Sequence, residues 1–109
     1  MSTTDTAPIF DAGALSRATN GDPALQVEVL ALFAVEVERL LRQVEDAPDA
    51  QLRGDRLRAL IALARNTGAA RLAHEARLQE AQIAAEAPNL APLKDAAAET
   101  LAYVRQAGI

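Results

Sequence analysis

The sequence predicts an all-α protein: an antiparallel up-and-down four-helix bundle with a short extra helix at its N-terminus. Three observations carry this. Apolar residues recur at steps of three and four rather than two, β-branched residues are sparse, and cap-and-breaker residues divide the chain into segments joined by short turns. Alanine is abundant throughout, and its small side chain combines high helix propensity with close helix approach.

The elements follow in order. Residues 1–9 are expected to be disordered or loosely packed, and residues 10–109 to form the bundle domain. Asp11 is placed to cap a short helix through about Thr19, which Asn20-Gly21 ends. Asp22-Pro23 is an N-cap followed by proline at the first helical position, where a missing N–H costs nothing. From there Leu25, Val29, Leu32, Phe33, Val37, Leu40, Leu41 and Val44 form one long apolar stripe, and Ala47-Pro48-Asp49 stops it. Gly54-Asp55 is expected to open the next helix, carrying Leu57, Leu60, Ile61, Leu63 and Ala64, with Asn66-Thr67-Gly68 interrupting or closing it. A fourth helix is expected from about Ala69 to Ala85. After an Ala87-Pro88-Asn89 turn, Asn89 or Pro92 starts a last helix with Leu93, Ala97, Leu101 and Val104.

Composition excludes several chemistries. The 109 residues contain no cysteine, so disulfides, thiolate catalysis and thiolate metal sites are excluded; His74 is the single histidine, so a histidine-rich metal site is excluded too. No metal or other cofactor is expected. No apolar run approaches eighteen residues and the opening MSTTDTAPIF lacks signal-peptide character, so the expectation is a soluble, cytoplasmic protein that does not enter a membrane. Half the residues are apolar, enough for one core in a chain of this length.

The net charge of −4 argues against general nucleic-acid binding. Its distribution is uneven. Residues 1–50 sum to −6, residues 51–109 to +2, and between Arg53 and Arg77 six arginines face only Asp55 and Glu75. Solvated helix faces account for such arginines; a local basic patch aimed at an acidic partner is the alternative.

The segments FDAGALSRATNGDPALQVEVLALF and DRLRALIALARNTGAARLAHEARLQE carry a resemblance. From roughly Phe10 to Ala107 the chain resembles histidine-containing phosphotransfer (HPt) domains, which pass a phosphoryl group between aspartates of response-regulator receiver domains. In the leader, Leu15, Asp22, Leu30 and Phe33 fall on the family's usual apolar or polar positions. The family motif reads approximately aHxLKGxAxxxGAxxL, followed by a glutamate near the end of that helix. Leu60, Ala64, Gly68, Ala69, Leu72 and Glu80 match it in register without a gap. The chemical half departs from it: the phosphorylated histidine falls on Arg58, the lysine three residues later on Ile61, and the following glycine on Ala62.

Phosphohistidine formation needs a neutral imidazole lone pair. Arginine stays protonated and its nitrogens only donate, so Arg58 can hold an anion but cannot accept a phosphoryl group. No catalytic residue is therefore assigned, and the chain is expected not to be an enzyme. Arg58, Ile61, Ala62 and Arg65 share one helical stripe opposite Leu57, Leu60 and Ala64. In the HPt register Ile61 stands on solvent between two guanidinium groups, an arrangement interface centres favour, although a single exposed isoleucine is ordinary.

The resemblance implies a pseudo-HPt signalling protein that binds a receiver domain or a histidine kinase without carrying phosphate; a monomer or weak homodimer is expected. Two alternatives stand beside it. One is a phosphorelay carrier using His74, which is expected on the outside of its helix where Leu72 and Ala76 face inward. The other is a structural helical module that dimerises or docks on other helices.

Overall fold

The computed structural model describes residues 7–84 and 88–107. Within them the chain forms five helices and no strand: α1 (Ala12–Thr19), α2 (Pro23–Asp46), α3 (Ala50–Thr67), α4 (Ala70–Ala81) and α5 (Ala91–Gln106). Of the N-terminal stretch expected to be loose, residues 1–6 lie outside the described residues; so do Ala85 and Ala87.

Local chemistry sets the helix ends. Asp11 Oδ1 accepts from the amides of Gly13 and Ala14 at 3.0 and 3.3 Å, satisfying donors that α1 leaves unpaired. Asn20 closes α1 with a left-handed φ of 54°. Asp22 repeats the cap on Ala24 and Leu25, with Pro23 opening α2. α3 begins earlier than the sequence suggests. Asp49, not Gly54, is its N-cap, with Oδ1 accepting from Leu52 N at 2.8 Å, and Gly54 lies buried inside the helix. Gly68, at φ 105°, closes α3 and donates to Ala64 O at 2.9 Å. α4 stops at Ala81, and α5 starts behind Asn89, whose Oδ1 accepts from Ala91 N at 3.1 Å.

Packing joins the helices into a bundle. α2 lies against α3, α3 against α4, α4 against α5, and α5 returns to α2, while α1 rests on both α2 and α3. Leu30, Phe33, Val37, Leu40 and Val44 of α2 meet Leu57, Leu60 and Ala64 of α3, with Leu72 and Ala76 of α4 and Leu93 and Val104 of α5, in one buried cluster. Removal of this apolar surface from water is the main force holding the helices together. Phe10 extends the cluster, edge-on to Phe33 and stacked on Tyr103 with centroids 4.8 Å apart. Three buried threonines return their hydroxyls to the preceding turn: Thr19 to Leu15 O, Thr67 to Leu63 O and Thr100 to Ala96 O.

The long stripe read on α2 divides. Phe33, Val37, Leu40 and Val44 are buried, but Leu25 and Leu32 point outward, Leu32 with 70% of its surface exposed. Residues 25 and 32 stand seven apart and keep one direction. Leu30, Phe33 and Val37 lie roughly 90–150° around the helix from it, and only that side is covered by neighbours. Among the described residues no helix is long and apolar enough to cross a membrane.

Candidate functional site

The middle of α3 presents Arg58, Ala62 and Arg65 to solvent, three residues of the stripe drawn from helical spacing. The fourth corrects that expectation. Ile61 is buried, with 8% of its surface exposed. It sits four residues after Leu57 and three before Ala64, and α3 packs on α1, α2 and α4 at once. A helix covered on so many sides buries an arc wide enough to take in the edge of the Arg58 stripe. The exposed face is therefore two arginines separated by the small Ala62, with Ile61 beneath them as core.

Arg58 is 58% exposed and is held from two directions. One nitrogen, Nη2, donates to Asp55 Oδ1 one turn earlier on α3; the other, Nη1, donates to Glu80 Oε2 on α4 at 3.4 Å. Arg58 and Glu80, with Ala50, Gln51, Gly54 and Ile83, line a shallow groove of about 430 Å³. Gly54 gives it a smooth wall, since even a Cβ there would lie 3.5 Å from Arg58 Nη1. A guanidinium carries five N–H donors, and these two bonds use two of them. The other three remain for a carboxylate or phosphoryl oxygen, in a fork that suits both.

Arg65 faces a second groove, of about 390 Å³, where α1, the end of α3 and the start of α4 converge. Arg17, His74 and Arg77 also line it, with Asp11 and Gly68. His74 is exposed on α4, while Leu72 and Ala76 are fully buried, as the helical spacing anticipated. Among the described residues Arg17, Arg65 and Arg77 have no carboxylate within 4 Å.

The six arginines between Arg53 and Arg77 do not make a single patch. Arg53 donates to Ile83 O at 3.3 Å, and Arg71 turns to Ala7 O and to Glu99, both at 2.9 Å. Arg56 lines a groove against α2 with Arg39, Arg42 and Asp46. What remains outward on α3 and α4 is Arg58, Arg65 and Arg77. The Asp55 partner of Arg58 is readable from i, i+3 spacing; the Glu80 partner needs the packing of α4 on α3. Comparison of the chain with protein-family models, with curated proteins and with solved structures finds no match.

Proposed function

We propose that this chain is a pseudo-HPt protein of a two-component phosphorelay: a cytoplasmic helical module that docks on a response-regulator receiver domain or a histidine kinase and carries no phosphate. The observation that carries the reading is Arg58. It is a permanently charged, outward side chain in the middle of α3, at the register where the HPt motif has its histidine. The order of helix neighbours, with turns of two or three residues on either side of α3, supports an up-and-down arrangement of the HPt kind.

Receiver active sites are acidic, as the resemblance implies. A guanidinium with donors to spare forms charge-assisted hydrogen bonds to such carboxylates, and Ala62 lets the partner approach the helix closely. Arg65 and Arg77 extend the positive face beyond the pocket. Occupancy by Arg58 blocks the aspartate from its phosphodonor, which makes the module an inhibitor or a decoy. Purified receiver domains titrated with the protein should bind saturably and more weakly as salt rises, and Arg58→Glu should abolish the binding. A receiver bound equally well by wild type and Arg58→Glu would overturn pocket insertion.

One observation favours a second reading. His74 is exposed in a groove that Arg65 and Arg77 also line, so a phosphoryl group on its imidazole would meet cationic neighbours. A carrier of this type takes acid-labile, base-stable label from a phosphorylated receiver and loses that ability in His74→Ala.

A further inference from the structure

The face of α2 turned away from the core carries Leu25, Glu28, Leu32, Val35, Arg39 and Arg42. The steps between them alternate three, four, three, four, three, which is the 3.5-residue period of a seam that receives a second helix. None of the six is buried, and Leu32 and Val35 are 70% and 63% exposed, the highest values for large apolar side chains among the described residues. One exposed leucine is unremarkable in a soluble domain. Two adjoining apolar residues at the centre of a heptad stripe, flanked by an acid on one side and two bases on the other, form a pattern.

The charges select the occupant. Laid antiparallel against itself, the seam sets Leu32 opposite Val35 of the second copy, Glu28 opposite Arg39, and Leu25 opposite the stem of Arg42. All three pairings fall in a single register, and a two-fold axis makes each occur twice. A parallel pairing instead sets Glu28 on Glu28 and Arg39 on Arg39, which repel. We propose that α2 is the seam of an antiparallel homodimer, closed by Leu32–Val35 packing and keyed by Glu28–Arg39. Arg39 already binds Glu36 of its own helix through Nε and Nη2, both at 2.7 Å. Three N–H donors stay free for Glu28 of the second copy, and the Glu36 bond holds the fork in place.

The seam uses no residue of the Arg58 face, so the inference is independent of the receiver reading. Arg58→Glu leaves the dimer intact, and Leu32→Glu leaves Arg58 unchanged. Sedimentation equilibrium on the full chain should show a concentration-dependent monomer–dimer equilibrium. Leu32→Glu should weaken it by roughly tenfold or more with an unchanged far-ultraviolet spectrum, because Leu32 is outside the core. The chain has no cysteine, which permits a direct reading of register. Glu28→Cys mixed with Arg39→Cys should give the mixed disulfide under mild oxidation, while neither alone cross-links. In the antiparallel register like positions lie 11 residues apart, about 16 Å along the helix. A chain that stays monomeric at millimolar concentration, a dimer indifferent to Leu32→Glu, or cross-linking of either cysteine variant with itself would overturn the proposal.

Discussion

Arg58 on α3 and Glu80 on α4 meet across the helix interface, Nη1 donating to Oε2 at 3.4 Å, while Asp55 holds the other end of the same guanidinium. An incoming carboxylate must therefore compete with two resident ones. Exposed pairs of this kind contribute about 0–1 kcal/mol, so they orient Arg58 without locking it. Glu80→Gln should release one side of the guanidinium and tighten receiver binding by up to about fivefold. Calorimetric titration of wild type and variant with one receiver measures this, with thermal melts to show that stability moves little.

Gly68 is the second point where α3 controls its surroundings. Its φ of 105° is unfavourable for a side chain, and a Cβ would come within 2.6 Å of the Asp11 carbonyl oxygen, a backbone atom of the α1 cap. The same residue accepts the Asp11 amide at 2.6 Å, fastening α1 to the end of α3. Gly68→Ala should therefore destabilise the fold by at least about 1 kcal/mol, seen as a lower urea midpoint.

Glu36 supplies a pH-dependent contribution. Its hydrogen bond to Arg39, seconded by the charge attraction, holds its carboxyl below the ordinary value of 4.5. A folded-state value below the unfolded one favours the ionised, folded form. The contribution is complete above pH 4.5 and disappears as pH falls through the lowered value. Glu36→Gln should flatten the acid limb of stability against pH and leave the slope near neutrality unchanged, as urea titrations from pH 3 to 7 would show.

Much of the fold is legible in the sequence, because the caps act locally. Asp11, Asp22, Asn20 and Gly68 each bond or bend within a few residues of themselves, so their signals need no tertiary knowledge. Gly54 misleads for the opposite reason. A glycine reads as a breaker, yet here it lies within a helix already opened by Asp49, where a small residue leaves room beside Ile83 and Arg58. A Cβ at Gly54 would make only ordinary contacts of 3.5 Å or more, so Gly54→Ala should stabilise the protein by roughly 0.5–1 kcal/mol, opposite in sign to Gly68→Ala.

The candidate site was legible in part. Spacing alone puts Arg58, Ala62 and Arg65 on one face, and that face is exposed. Spacing does not say how many neighbours a helix has, and α3 has three, which draws Ile61 into the core; α2 leaves Leu32 outside because its far side has none among the described residues. Nor does it reveal Glu80, 22 residues away in sequence, as a partner of Arg58.

If Arg58 stands where an HPt imidazole meets a receiver aspartate, a histidine at that position should accept the phosphoryl group. Arg58→His tests it most directly: the variant and the wild type are each incubated with a receiver labelled as its aspartyl phosphate, and acid-labile label on the helical protein is measured. Label is expected on Arg58→His and none on wild type. A variant that binds the receiver but takes no label, or a wild type labelled to the same extent, would contradict it.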